Sequence, residues 1–154
     1  MPPSLEQVVA GIPLFAGMKQ EHIVEIAGCS HPVRFESDEY VGRVGDPADG
    51  FWAVLDGRVV LEARHATRGP LPVMTVGPGE VLGWSWLVPP HQWHLDARAL
   101  TTTHALVFDV RRLRGKFADD YELGYELLRR FAQLIAGRLE AAGSQLHDPP
   151  IAHG

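Results

Sequence analysis

The sequence predicts a mainly β fold with α, a double-sheet roll or barrel flanked by helices. Three observations carry this. Short β-prone segments recur through the middle of the chain, Gly and Pro cut them at even spacing, and helical periodicity is confined to the two ends. Ser4-Leu5-Glu6-Gln7 has capping-box spacing and predicts a short helix. Gly11, Pro13 and Gly17 break the next stretch, leaving Ile12, Leu14, Phe15 and Met18 as an apolar plug. From Lys19 to Ala27 the apolar Ile23, Ile26 and Ala27 recur at helical spacing, and Gly28 fits a C-terminal stop. After Pro32 the period changes: Val33 and Phe35 alternate with Arg34 and Glu36, and Val41 and Val44 follow. Gly45-Asp46-Pro47 and Asp49-Gly50 are turn chemistry. Phe51 to Leu55 is expected as a strand, Asp56-Gly57 as a type I′ hairpin turn, and Arg58 to Ala63 as the returning strand. Arg64 to Pro70 reads as a polar hairpin tip, and Val73 to Val76 as a strand closed by Gly77-Pro78-Gly79. Trp93 to Leu100 and Ala105 to Phe108 finish the strands.

Helix returns at the end. Asp119-Asp120-Tyr121-Glu122 looks like an N-terminus, with acidic groups near the positive end of the helix dipole. Leu123, Leu127, Phe131, Leu134 and Leu139, with Leu128 and Ile135 beside them, form one apolar stripe. Gly143 is expected to end it. The chain thus divides into an N-terminal helical segment (1–31), a β core (32–109), C-terminal helices (110–143) and a loose tail (144–154) carrying Pro149-Pro150, all in one domain.

Bulk properties narrow the function. The chain has 154 residues, enough to bury a core without staples. Its single cysteine, Cys29, forms no internal disulfide and suits a reducing cytoplasm. No run approaches the roughly 18 apolar residues of a membrane span, and Met1 to Ala10 has no leader pattern. A net charge of −5 gives no footprint for nucleic acid. Cytoplasmic localisation is the expectation.

Three motifs, "PLF" near the start, "VGDPADGFWAVLDGRV" and "VGPGEVLG", resemble the cyclic nucleotide-binding domain superfamily, the sensor domain of catabolite-activator-type regulators. The resemblance runs from about Ile12 to Leu139. It implies a jelly roll (double-stranded β-helix) of about eight strands, flanked by N-terminal helices and a long C-terminal helix, with a phosphate-binding cassette after the Gly-Pro-Gly turn. In the family that cassette reads Phe-Gly-Glu, a short helix, a loop, then Arg-Ser-Ala. The Arg neutralises the cyclic phosphate and the Glu accepts from the ribose hydroxyl. Here Leu82-Gly83 aligns with Phe-Gly, so the Glu position is Trp84, and the Arg-Ser-Ala positions fall on Trp93-His94-Leu95. An indole offers one N–H donor and no acceptor. Losing a charged hydrogen bond costs roughly 1.5–3 kcal/mol per anchor, so ordinary binding of cAMP or cGMP is not expected.

The candidate ligand-binding residues are therefore Gly83, Trp84, Ser85, Trp86, Trp93, His94 and Leu95. The tryptophans either line a pocket for another flat or apolar ligand or fill the vacated cradle; a third reading gives the N–H groups of Trp84 to Leu87 an anion. Strand alternation turns Trp93, Leu95, Ala97 and Ala99 inward and His94, Asp96 and Arg98 outward, which leaves Arg98 a poor replacement anchor. His91 and His94 lack the further ligands a metal site needs, and no catalytic triad is visible, so no catalytic residue, metal or cofactor is expected. The resemblance further implies a homodimer through the C-terminal helix, with Leu123, Leu127, Phe131, Leu134 and Ile135 at the interface. For a chain that ends at residue 154, the family's DNA-reading helix-turn-helix is not expected to fit in the roughly fifteen residues after Leu139. The expected function is a non-enzymatic sensor module for an unidentified small molecule. One alternative is a ligand-free scaffold for a protein partner, and another is the sensor part of a transcription regulator whose DNA-binding domain is missing.

Overall fold

Ser4 starts the first helix as its spacing predicts. In a computed structural model, which describes residues 2–147, the Ser4 hydroxyl accepts from the Gln7 N–H and the Gln7 side chain accepts from the Ser4 N–H. This capping box opens α1 (Leu5–Ala10). A 3-10 turn, Pro13–Phe15, buries Phe15 completely. α2 (Gln20–Ala27) buries Ile23, Ile26 and Ala27, and also His22, before Gly28 ends it.

The roll is two four-stranded sheets. β1 (Ser30–Phe35), β8 (Thr103–Asp109), β3 (Gly50–Asp56) and β6 (Val81–Leu82) lie in that order in the first. β2 (Tyr40–Gly42), β7 (Asp96–Ala99), β4 (Val59–His65) and β5 (Gly69–Val76) make the second. Every pairing is antiparallel. The eight strands and flanking helices form the jelly roll that the resemblance implies.

The Asp56-Gly57 turn corrects one expectation. β3 pairs with β8 and β6, whereas β4 pairs with β5 and β7, so the turn carries the chain from one sheet to the other and closes no hairpin. A type I′ turn needs positive φ at both central residues. Here Gly57 has φ +99° and Asp56 does not. The turn packs on the start of β8: a Cβ on Gly57 would lie 2.6 Å from the Thr102 carbonyl oxygen. The hairpin whose tip is expected at Arg64 to Pro70 does form, as β4–β5, with the Thr67 and Arg68 N–H groups donating to His65 Nδ1. β5 starts earlier than expected and contains Pro70 and Pro72, tolerated because it is an edge strand.

Strand alternation in β7 holds. Ala97 and Ala99 are fully buried inside, while Asp96 and Arg98 share the opposite face with Glu62 of β4, which is the register partner of Asp96. Like charges placed opposite each other repel, and each carboxylate has its own guanidinium. Arg98 grips Glu62 at 3.2 and 3.1 Å and reaches Asp38 at 2.9 Å. Arg64 grips Asp96 at 2.9 and 3.0 Å, and the Val44 N–H adds a third bond. Burial pushes the Asp96 carboxyl up, but Arg64 and Val44 outweigh it and hold it below the usual carboxylate range.

Asp109 caps α3 (Val110–Asp119) by accepting from the Arg111 and Arg112 N–H groups, and Asp120 accepts from Leu123 at the start of α4 (Tyr121–His147). α4 continues past Gly143, where an end was expected. An isolated Gly costs about 1 kcal/mol in a helix and does not stop one alone. The expected tail lies outside the described residues from 148 onward. No helix among the described residues is long and apolar enough to cross a membrane.

Phe51 joins the layers. Its ring stacks on Phe108 at 4.5 Å, faces Trp86 at 5.8 Å and meets the edge of Phe131 from α4 at 4.9 Å. Phe15 closes the cluster against Phe108 at 5.5 Å. Guanidinium groups fasten the terminal helices to backbone carbonyls. Arg114 donates to Trp86, Arg130 to Leu14 and Ala16, and Arg138 to Val81.

Two glycines of similar φ separate strain from clash. Gly45 has φ +92° and open space around its Cβ position, so Gly45→Ala should cost roughly 1–2 kcal/mol in urea unfolding. Gly57→Ala should cost clearly more, because its methyl meets backbone; equal losses would show that the crossing turn is not packed as described.

Candidate functional site

The stretch after Gly77-Pro78-Gly79 builds a cradle whose space is almost gone. Ser85–Leu87 forms a single 3-10 turn with the Leu87 N–H bonded to Trp84 O at 3.0 Å, so the short segment expected to open a helix is one turn long. Gly83 at φ +94° lets the chain turn over the β3 backbone. The Trp84 ring stacks on His94 at 5.8 Å and 14°, and His94 Nδ1 sits 3.1 Å from the Ser85 hydroxyl. Trp93 is 8% exposed. Around these residues the remaining cavity is ≈ 40 Å³, lined by Gly83, Trp84, Ser85, Trp93, His94 and Leu95 together with Leu61 and Arg138.

Six of the seven candidate residues therefore meet at one place. Trp86 does not. It is 2% exposed and sits in the aromatic core between Phe51 and Phe131 (5.2 Å, 89°), under the Arg114 guanidinium at 5.9 Å. Its indole N–H has no acceptor, a cost offset by the large area the ring buries. Trp84 directly precedes the turn that holds Trp86 at its centre, so seating Trp86 in the core leaves Trp84 over the cradle.

No carboxylate lines the cradle, and its one cation among the described residues is Arg138. Burial pushes that guanidinium below its ordinary range, with Glu80 acting against the shift. Arg98 is absent from the lining, held on the outer face by Glu62 and Asp38. No local pattern points to Arg138, which lies some forty residues away and comes in from α4, or to Leu61.

Trp52, the one tryptophan outside the cluster, was also missed. It meets Trp93 at 5.4 Å, and beyond that contact a second cavity of ≈ 520 Å³ opens. The ligating side chains that approach one another are not His91 and His94 either. His22, Glu25 and Asp120 place their ligand atoms within 4.8 Å of one another between α2 and the α3–α4 junction. Burial and a hydrogen bond with Asp120 push the Glu25 carboxyl up, while the Leu123 N–H holds Asp120 down. Three ligands are fewer than a closed zinc site needs. Cys29 is buried, and burial pushes its thiol up, away from nucleophilic use.

On α4 the apolar stripe divides. Leu123, Leu127 and Phe131 are fully buried against their own domain. They can reach no partner without opening the core, which corrects their expected place at an interface. Leu134 and Ile135 are half-buried, while Leu128 and Leu139 are exposed.

Residues 32–120 match the family described as "Cyclic nucleotide-binding domain". The chain is 26% identical over 145 residues to the CRP-like cAMP-activated global transcriptional regulator of Mycobacterium tuberculosis. That match covers 94% of this chain and 62% of the relative, so the chain spans under two thirds of that curated relative's length. A cyclic nucleotide-binding domain from Methylobacillus flagellatus superposes with TM-score 0.78 at 21% identity, covering 92% of this chain and 79% of that one. The N-terminal domain of a transcriptional regulator from Streptomyces coelicolor A3(2) gives TM-score 0.71 at 25% identity, covering 88% and 94%.

The two indoles of the turn should behave differently when truncated. Trp86→Ala should destabilise by about 3–5 kcal/mol as a core deletion, and Trp84→Ala by under about 2 kcal/mol. Chemical denaturation of both variants checks this, and a reversed order would place Trp84 in the core instead.

Proposed function

The chain belongs to the cyclic nucleotide-binding domain family, and from that premise we propose that it is a non-enzymatic regulatory module whose nucleotide cradle is filled by its own side chains and whose output surface is α4. One observation carries the reading: the cradle retains ≈ 40 Å³, whereas small-molecule sites occupy about 300–1,000 Å³. The missing anchors point the same way. A cyclic phosphate entering here meets neither a carboxylate for its ribose nor a β7 arginine, and must displace indoles. The expected flat ligand among Trp84, Trp86 and Trp93 has no room either, so the volume favours the scaffold alternative at this site, with a protein partner reading the helix.

Pairing through α4 is part of the proposal, through a seam that keeps only Ile135 of the expected residues. Tyr121, Tyr125, Leu128 and Leu139 are 82%, 69%, 48% and 71% exposed. With Ala132 and Ile135 they recur at alternating steps of four and three, the 3.5-residue repeat of a two-helix seam. Leaving these side chains in water is unfavourable, and a second copy offers the identical stripe in return. The sensor part of a longer transcription regulator is the second reading, favoured by the larger size of the Mycobacterium relative and the match to an N-terminal domain.

Millimolar cAMP or cGMP should leave the melting temperature within about 1 °C; a rise of several degrees would overturn the filled-cradle reading. Sedimentation should give twice the monomer mass, and Leu128→Glu should yield a folded monomer. Phe131→Glu should instead unfold the domain, because that ring belongs to the core. A wild-type monomer at tens of micromolar would end the pairing proposal.

A further inference from the structure

We propose that the ≈ 520 Å³ cavity beyond Trp93 is a binding site for a flat aromatic cation, such as an N-alkylated heteroaromatic ring. Its volume falls within the range of small-molecule sites, about 300–1,000 Å³, unlike that of the cradle. The apolar wall is made by two indoles tilted 52° to each other, Trp52 from β3 and Trp93 from the segment before β7, and is continued by Val41 and Val107. Gly42 makes the corner possible: a Cβ there would stand 2.4 Å from a Trp93 ring carbon, so only glycine lets the indole lie on the β2 backbone.

The site is held open by backbone. The Gly45 N–H donates to Trp93 O at 3.0 Å, the Trp93 N–H to Asp46 O at 2.9 Å, and the Ala48 N–H to His91 O at 2.8 Å. These bonds pin the 45–48 loop to the 91–93 segment, so little ordering is left for a ligand to impose.

Charge selects the ligand class. Three carboxylates, Asp46, Asp49 and Asp109, face one guanidinium, Arg111. Arg111 lies 3.9 Å from Asp49, and both are well exposed, so the pair is loose. Asp46 accepts from the Arg43 N–H and Asp109 from the first turn of α3, which fixes their carboxylates at the rim. His31, exposed at the same rim, adds a ring. A cation is drawn both to these carboxylates and to the indole faces, whereas an anion is repelled by both. Trp93 is also a wall of the closed cradle, so a ligand here touches an indole that the two cavities share.

Titration of the 15N-labelled protein with N-methylquinolinium tests this through the indole N–H signals of the four tryptophans. The Trp52 and Trp93 signals should move saturably at submillimolar concentration while that of Trp86 stays fixed. Naphthalene-2-sulfonate, similar in shape but anionic, should bind at least about tenfold more weakly. Val107→Phe, which fills the cavity, should weaken the cation about tenfold with the remaining spectrum preserved. Asp49→Lys, at an exposed position, should erase the preference for cation over anion. The proposal is overturned if cation and anion move the signals alike, if no saturation is reached, if Asp49→Lys leaves the preference intact, or if Trp84 responds without Trp52. This last outcome would mean binding in the cradle, which separates failure of this site from failure of the filled-cradle reading.

Discussion

The stack of Phe51 on Phe108, with Trp86 and Phe131 closing on it, is the contact through which sheet, cassette turn and α4 hold one another. Rings of this size dominate the burial of a small core, and here they come from four separate stretches of chain. With Trp86 committed to the cluster, the turn from Ser85 to Leu87 can sit only against α4. Trp84, one residue earlier, then lies on His94 across the cradle. The closed cradle follows from where the core is satisfied, and the little space that is left is lined by no carboxylate.

The cations of the domain are committed in a complementary way. Arg64 and Arg98 serve the buried carboxylates of Asp96 and Glu62 on the outer face of the second sheet. Removing either guanidinium would leave a buried charge unpaired, an expensive state. Arg114 and Arg138 are spent on backbone carbonyls that tie α3 and α4 to the roll, and Arg130 on carbonyls that tie α4 to the N-terminal 3-10 turn. Nothing in this arrangement resembles the free arginine that an anionic ligand in the cradle requires. The open space lies instead beyond Trp93, where carboxylates outnumber cations.

Much of this could be read along the chain because it rests on neighbours in sequence. Ser4 and Gln7 form their capping box three residues apart, and Gly28 stops α2 within one turn. β7 sorts Ala97 and Ala99 from Asp96 and Arg98 by a period of two, and the "VGPGEVLG" stretch marks the start of the turn that carries Trp84 and Trp86. Six of the seven cassette candidates accordingly lie together.

What remained was decided by partners far apart in sequence. Asp56-Gly57 specifies a sharp turn, but only the competition of β8 for β3 sends the chain to the other sheet. Periodicity shows that α4 is apolar on one broad side. It took the roll itself to cover Leu123, Leu127 and Phe131 and leave Leu128 and Leu139 outside. No local rule separates Trp86, a core residue, from Trp84, or brings Trp52 to Trp93. Residue type and spacing along the chain sufficed for most of the elements and for the fold class, because these are short-range consequences of the residues themselves. Tertiary structure alone decided which indoles fill space and which line it, because that depends on how side chains from distant strands divide a shared volume.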